Sequence, residues 1–385
     1  MRVLHAISGI DPANGGPTQA LLGLTAAQVA AGHDVSVVST WQLRTGFDNA
    51  ETFRAAGVDV EMVGPASGRL NTHDDLSRVM QARTAEADVV HIHSVWQEAQ
   101  HAAAVEARSA GVPYVMRICG ALHPWSMSQS RWKKRLYLAW RLRGHLNKAA
   151  ALHFTTPAER DASLKFDAPA IVEPNGTELA GRPMPDRTAA AEALRAKHAA
   201  LRDRPVLLFL GRVHAKKGLD QLLPALADAN LDPAPALLIA GPEEDAVVAA
   251  DVRRMIAERG MNERVVFAGT LNRADTVEAL AGADMLVLTS YTENFGIAVV
   301  EALAVGTPVL ISDRVECAGY FGDTEVGAVV PLEKSAITDA LQTWVPDEPR
   351  RRAAGEAGAR LAAEQFDWHR IAERWTAHYE AMVRR

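Results

Sequence analysis

Short apolar, β-branched runs alternate with longer Ala- and Leu-rich amphipathic segments along nearly the whole chain, and this alternation limits the fold more than any other feature. Parallel neighbouring strands need a crossover of a dozen or more residues, usually a helix, so the pattern is the sequence form of stacked βαβ units. The first set of strand-like runs is Val3–Ile7, Val35–Ser39, Val58–Met62, Val89–Ile92, Tyr114–Arg117 and Leu152–Phe154. Around Pro174-Asn175-Gly176 the alternation stops. Residues 176–204 are polar, then Ala/Arg-rich, and end in Asp203-Arg204-Pro205, which reads as an interdomain connection. A second set follows at Val206–Leu210, Ala236–Ala240, Val265–Ala268, Met285–Leu288, Pro308–Ile311 and Ala328–Val330.

The expected fold class is therefore α/β, with two doubly wound Rossmann-like domains facing a central cleft, and ligand at the carboxyl ends of the strands. The chain length of 385 residues suits two or three domains at roughly 150 residues each. The first domain is expected over 1–178 and the second over 200–365. The closing segment 366–385 places Trp368, Ile371, Trp375, Tyr379 and Met382 at helical spacing, as a docking helix does.

Several function classes are disfavoured. A net charge of -6 lacks the basic excess that nucleic-acid binders use against phosphates, so no nucleic-acid partner is expected. Two cysteines, Cys119 and Cys317, fit a reducing compartment better than a disulfide framework, and a cytoplasmic location is expected. No run approaches the roughly 18 to 20 apolar residues of a spanning helix, and no export signal is evident at the start. Dinucleotide, P-loop, zinc-hydrolase and Cys-x-x-Cys signatures are missing, as is any Asp-x-Asp pair, and no metal site is expected. His91 and His93 flank a strand end without a third ligand at useful spacing, and read as histidines at the edge of a core.

The chemistry-bearing stretches lie mainly in the second half. In "LFLGRVHAKKGLD" (208–220), a buried strand ends at Gly211, and Arg212 and Lys217 follow. Convergent Arg and Lys above a strand end suit a diphosphate, Arg through its fork and Lys as a point charge; two solvated basic residues in a loop are the other reading. In "ENFGIAVVE" (293–301), a helix starting near Asn294 or Phe295 puts Gly296 in its first turn, where free N–H groups and the helix dipole favour an anion. Glu293 then precedes the helix and Glu301 lies one to two turns inside, roughly 10 Å away at the helical rise. Carboxylates accept hydrogen bonds from vicinal hydroxyls, so the pair suits two sugar rings joined by a diphosphate, or else stands as ordinary helix charges.

Gly211, Arg212, Lys217 and Gly218, with the pattern E-x-F-G-x-x-x-x-E-A-x-A-x-G-x-P-V over Glu293 to Val309, resemble the two signature motifs of family 4 retaining glycosyltransferases of the GT-B fold. The resemblance extends to the Gly15-Gly16-Pro17 loop, "GHDVSVVST", "HIHSVW", "HFTTPAE" and "PNG". It implies transfer of a sugar from a nucleotide-diphosphate sugar to a glycan or lipid-linked glycan, with retention and without a metal or other cofactor, commonly in cell-surface or exopolysaccharide assembly. It further implies that Arg212 and Lys217 contact the diphosphate with N–H groups near Phe295, Gly296 and Ile297. Glu293 would hold the transferred sugar, Glu301 the ribose, and the loop at Gly15 and Gly16 would approach donor phosphate or acceptor. Gly241 and Leu271 match the base-pocket region, and the closing helix would cross back to the first domain. A nucleotide-sugar epimerase on the same fold and a non-catalytic nucleotide-sugar binder remain alternatives.

One departure stands out. "RICGALHPW" (117–125) resembles the family segment R-P-H-G-x-L-x-P-W, but Cys119 occupies the position of its histidine, and His123 follows four residues later. Cys does not reproduce the two-nitrogen hydrogen bonding of imidazole. His123 is either a replacement, an acceptor contact or a surface residue. Directly after it, residues 131–148 carry Arg131, Lys133, Lys134, Arg135, Arg141, Arg143 and Lys148, interleaved with Trp132, Tyr137 and Trp140 and with no acid. Such a helix suits the inner face of an anionic membrane or an anionic lipid-linked acceptor, or packs within the domain with a solvated basic face.

Overall fold

The computed structural model describes residues 1–11, 16–43, 48–128 and 131–384. The chain forms two compact units, Met1–Gly176 with Trp368–Arg385, and Thr177–Asp367. Gly15 lies outside the described residues.

In the first unit the strands are β1 (Arg2–Ile7), β2 (Asp34–Thr40), β3 (Asp59–Val63), β4 (Val89–His93), β5 (Tyr114–Arg117), β6 (Ala151–Phe154) and β7 (Ala170–Val172). They form one sheet in the order β3-β2-β1-β4-β5-β6-β7, with every pairing parallel. All five residues of β4 are buried. Helices cover both faces of such a sheet, which is why the strand reads as a continuous apolar run rather than an alternation. Strand β7 was not expected from the sequence; its three residues are too few to show any periodicity. The helix Trp368–Val383 buries Trp368, Ile371, Trp375 and Tyr379. These pack with Val3, Val89 and Val115 of the sheet and with Ala20, Leu24 and Ala27 of the helix Gly16–Ala30.

The second unit repeats the plan with β8 (Val206–Leu210), β9 (Ala236–Ala240), β10 (Val265–Gly269), β11 (Met285–Leu288), β12 (Val309–Ser312) and β13 (Gly327–Val330). Their order is β10-β9-β8-β11-β12-β13, again all parallel. Both sheets are thus doubly wound, reversing direction between β1 and β4 in one and between β8 and β11 in the other. Crevices at such reversals, beyond the carboxyl ends of the strands, are where ligands bind in open α/β sheets.

The stretch read as a connection, 176–204, is instead part of the second unit. It contains the helix Arg187–Lys197, whose N-cap Asp186 accepts hydrogen bonds from the N–H groups of Thr188 and Ala189. The alanines that made this stretch look featureless allow close approach: a Cβ on Gly282, in the helix Arg273–Gly282, would lie 2.7 Å from the carbonyl oxygen of Ala190. Arg187 fixes the contact from the side through the carbonyl of Ala283 at 2.8 Å. The unit boundary therefore falls at Gly176/Thr177, with no separate linker. Among the described residues no helix is long and apolar enough to cross a membrane.

Candidate functional site

The two motifs of the second unit flank its strand-order reversal, one following β8 and the other following β11. Backbone hydrogen bonds tie them together: the Tyr291 N–H donates to the Lys216 carbonyl at 2.8 Å, and the Thr289 hydroxyl to the Gly218 carbonyl at 3.0 Å. Gly218 has φ 69°, and a Cβ there would lie 1.8 Å from the Thr289 carbonyl oxygen. Only glycine fits this crossing, which brings Lys217 to the second loop.

That loop is held from its other side by the segment after β12. The Glu293 N–H donates to the Arg314 carbonyl, the Glu316 N–H to the Glu293 carbonyl, and the Cys317 N–H to the Phe295 carbonyl, at 3.1, 3.1 and 3.2 Å. Phe295 is buried against Tyr320 and Phe366. The helix begins later than expected, at Ile297, and ends at Ala304. Gly296 is its N-cap, with φ 91°, not a first-turn residue. The late start follows from the chain turning through a left-handed residue to aim the helix N-terminus at the strand ends, a conformation costly for any residue with a Cβ. Its first N–H groups precede any carbonyl the helix itself can offer them.

Around this N-terminus lie three ion pairs. Lys217 Nζ donates to Glu293 Oε2, and both side chains are largely buried, at 17% and 22% exposure. Arg212 donates through Nη1 to both carboxylate oxygens of Glu244, each at 2.8 Å, in a more exposed pair. Glu301 does not face water: its carboxylate is 15% exposed and accepts from Arg273 Nη1 at 2.6 Å. It stands one turn inside the helix, about 6 Å from its start by the helical rise. Burial pushes the Glu301 carboxyl above its ordinary range, and the neighbouring Arg273 draws it back down. Arg273 also holds Glu178 at 2.6 Å through Nε. Glu178, Glu244 and Arg273 were not singled out in the sequence. They lie 34, 49 and 20 or more residues from the motif stretches they serve, and no local spacing ties them to the site.

Gly241 follows β9, and its N–H donates to the Gly269 carbonyl at 2.7 Å, joining the ends of β9 and β10. Leu271, in the turn after β10, packs against the core of this unit, and half-buried Asn294 lies between Glu293 and Phe295.

In the first unit, Gly16 is the exposed first residue of its helix. Cys119 follows β5 with φ 53°, a left-handed conformation unusual outside glycine, and the next residue, Gly120, donates its N–H to Glu159 Oε1 at 2.5 Å. Burial pushes the Cys119 thiol up, so it stays protonated near neutrality and is no thiolate nucleophile. His123 is half-buried just before the short helix Pro124–Ser128.

The structure corrects the reading of His91 and His93. They are fully buried, and His5 of β1 stands beside them with its ligand atom within 4.8 Å of theirs. The rings of His91 and His93 stack at 4.7 Å and 16°, so their in-plane lone pairs do not converge on one point. The nitrogens instead form a hydrogen-bonded chain. Arg117 Nη1 approaches His93 Nδ1 at 3.5 Å; His93 Nε2 and His5 Nδ1 are 2.9 Å apart, and His5 Nε2 meets Gln28 Oε1 at 2.8 Å. Gln28 Nε2 donates to the Tyr379 hydroxyl at 3.3 Å, which meets His91 Nδ1 at 2.7 Å. His91 Nε2 meets His153 Nδ1 at 3.2 Å, and His153 Nε2 the Glu173 carbonyl at 2.9 Å. A guanidinium only donates and a carbonyl only accepts, so the two ends assign one direction to every proton and leave all four imidazoles neutral.

Comparison with known proteins matches this geometry. The family described as "Glycosyl transferases group 1" matches residues 190–361, and the "Glycosyl transferase 4-like domain" matches residues 15–176. A D-inositol 3-phosphate glycosyltransferase of Nocardia farcinica is 32% identical over 218 residues, covering 55% of this chain and 47% of that protein; the chain thus matches about half of that relative's length. The GDP-mannose:cellobiosyl-diphosphopolyprenol alpha-mannosyltransferase of Xanthomonas campestris is 24% identical over 100% of this chain and 97% of its own. Among solved structures, Anabaena Alr3699/HepE in complex with UDP and glucose superposes with a TM-score of 0.78 at 20% identity, over 99% of this chain and 100% of that one. Sucrose-phosphate synthase from Thermosynechococcus elongatus gives 0.73 at 21%, over 99% of each chain. With both halves of the chain matched by the two family descriptions and the fold shared end to end, the chain belongs to the group 1 glycosyltransferases, of the family 4 type with the GT-B fold.

Proposed function

We propose that this protein is a retaining glycosyltransferase that moves a sugar from a nucleotide-diphosphate sugar to a hydroxyl of a glycan or glycolipid acceptor. The observation that carries this reading is the largely buried Lys217–Glu293 pair beside the N-terminus of the helix Ile297–Ala304, with the Arg273-bound Glu301 one turn further in. A cation, a helix N-terminus and two carboxylates in that sequence match a diphosphate flanked by two hydroxylated rings. Lys217 and Arg212 hold the diphosphate with the N–H groups at Phe295, Gly296 and Ile297; Glu293 takes the hydroxyls of the transferred sugar and Glu301 those of the ribose. Gly241, Leu271 and Asn294 border the nucleotide, and the loop with Gly15 and Gly16 serves phosphate or acceptor.

In the reaction, the anomeric carbon–oxygen bond to the diphosphate breaks as a bond to the acceptor oxygen forms on the same face, and the acceptor proton passes to the leaving diphosphate. Positive charge develops on the sugar and negative charge on the diphosphate. Fixed cations and the helix N-terminus stabilise that separation more than the ground state, which is how such groups accelerate a reaction. These charges are sufficient for the leaving group, and no metal is required in the proposed step. Cys119, neutral, and His123 border the transferred sugar or the acceptor.

The names of the Xanthomonas and Nocardia relatives and the UDP and glucose bound to the Anabaena protein support the donor class. The Xanthomonas enzyme's diphosphopolyprenol acceptor supports a place in cell-surface or exopolysaccharide assembly, on the cytoplasmic side. The test is incubation with UDP-, GDP- and ADP-sugars, with and without a lipid-extract acceptor, in EDTA. Transfer that needs acceptor and yields an α-linked product from an α-linked donor is expected. Acceptor-free interconversion of the donor would assign an epimerase instead, and binding of UDP, GDP or ADP without turnover a sensor.

A further inference from the structure

We propose that the outward face of Arg131–Lys148 docks this protein on an anionic phospholipid bilayer. The segment consists of the helix Arg131–Tyr137, a single π-helical stretch Leu138–Leu142 and the helix Arg143–Lys148. Its inner side is settled by Leu138, Leu142 and Leu146, all buried in the core of the first unit. Its outer side is not what the fold requires. Trp132, Leu136 and Trp140, spaced four residues apart, are 68%, 49% and 85% exposed. Residues at i, i+4 and i+8 lie along one helical stripe, so two indoles and an isobutyl group form one apolar line facing solvent. Leaving two tryptophans in water forgoes a large part of the burial that such side chains ordinarily gain.

The charges sort in the same way. Two of the seven cations serve the fold: Lys134 donates to the Ser126 carbonyl at 2.7 Å, and Arg141 to both oxygens of Glu98 at 2.7 and 2.8 Å. The other five, Arg131, Lys133, Arg135, Arg143 and Lys148, are exposed, and none has a carboxylate within ion-pair distance among the described residues. Lys133 and Arg143 lie instead over the rings of Trp132 and Phe166. No Asp or Glu occurs between Glu106 and Glu159. An apolar stripe rimmed by unpaired cations, on a chain whose net charge is -6, is a local departure from the whole.

A bilayer containing anionic lipid matches both parts at once. Indoles settle at the level of the headgroups, where one edge is apolar and the other wet, and cations beside them meet lipid phosphates. Each cation near such a surface strengthens binding by about a factor of five. A soluble acidic partner would satisfy the cations but not the stripe, and a second copy of this chain would satisfy the stripe while bringing like charges together. This inference stands apart from the transfer reading, because the surface contains none of the residues assigned to the donor.

The full chain, without donor, is sedimented with vesicles of phosphatidylcholine alone and with 30 to 40% phosphatidylglycerol (roughly the anionic content at which surface potential attracts basic segments). Binding to the anionic vesicles at low salt, at least tenfold weaker in their absence and tenfold weaker again in 0.5 M salt, is expected. Replacing Arg131, Lys133, Arg135 and Arg143 by Gln is expected to abolish it. Trp132→Ser with Trp140→Ser is expected to leave only a weak, salt-sensitive remainder and to remove a blue shift of tryptophan emission. All these residues are exposed, so the variants keep the fold, which UDP-, GDP- or ADP-induced thermal shifts verify independently. No sedimentation with anionic vesicles at low salt overturns the proposal, as does binding that both sets of variants leave unchanged. A dimer in solution that depends on Trp132 and Trp140 overturns it in favour of a second copy.

Discussion

The carboxyl edge of the second sheet and the interior of the first are the two polar concentrations of this molecule, and they handle buried polarity in opposite ways. Beside the helix Ile297–Ala304, cations and carboxylates stand in ionised pairs, Lys217 with Glu293 and Arg273 with Glu301, each open to solvent at one edge. Under the C-terminal helix, four imidazoles, an amide and a phenol form one chain of neutral hydrogen bonds running from Arg117 to the Glu173 carbonyl. Ion pairs can be exchanged for a charged ligand at little net cost, since each partner trades one charged contact for another. A directional neutral chain has no such freedom: every donor has one acceptor, and taking out one member leaves two buried groups unsatisfied. One arrangement suits binding, the other suits holding a helix in place.

This contrast can be broken or sharpened by experiment. The largest effect is expected at the ion pairs: Lys217→Ala and Glu293→Ala should each lower transfer by about a thousandfold or more, the scale of losing a fixed charge at a transition state, while leaving thermal stability within a degree or two. Full activity in either would refute the site assignment. In the neutral chain the pattern reverses. Tyr379→Phe removes the donor to His91 and the acceptor for Gln28, and should cost about 2 to 3 kcal/mol of stability with nucleotide affinity unchanged, measured by denaturant unfolding and nucleotide titration.

Acid tests the same chain. Burial lowers His5 to about 4, and lowers His91, His93 and His153 well below the ordinary imidazole range. Arg117 adds repulsion for any proton taken up by these rings. The unfolded chain binds protons at these histidines below about pH 6.5 while the folded chain does not. Their contribution is therefore complete above that value and is lost as pH falls from about 6.5 towards 4, at up to about 1.4 kcal/mol per pH unit for each group. Melting temperature flat across pH 7 to 5 would contradict the neutral chain.

A smaller effect is expected at Arg273. Arg273→Gln leaves Glu301 buried without its cation, which raises its carboxyl further. Nucleotide affinity should fall about tenfold near neutrality, with the acid limb of the binding curve moved to higher pH and Arg273→Lys restoring part of both. The smallest change is predicted at the exposed Arg212–Glu244 pair: Glu244→Gln should alter stability by less than about 1 kcal/mol.

The two regions also differ in how much of them could be read in advance. Gly211 to Gly218 and Glu293 to Glu301 are continuous stretches in which a strand, a turn and a helix N-terminus fix the spacing of charged groups, so their chemistry is visible in the sequence. Even there the helix start was misplaced, because Gly296 adopts φ 91° to turn the chain, and nothing local distinguishes a capping glycine from one in a first turn. Arg273 and Glu244 reach the same site from the turns after β10 and β9, and only the pairing of those strands with β8 brings them near.

What the sequence by itself determined was the alternation of strand and helix, twelve of the thirteen strands, and the two motifs, since all of these depend on contacts within about a dozen residues of chain. What the tertiary structure decided was who neighbours whom across the sheets. His5, His91 and His153 come from three strands, and Gln28 and Tyr379 from two helices 351 residues apart in sequence. The side chain of each is unremarkable in its own segment; the parallel register places them in one row, and exclusion of water then requires that every nitrogen and oxygen find its partner there.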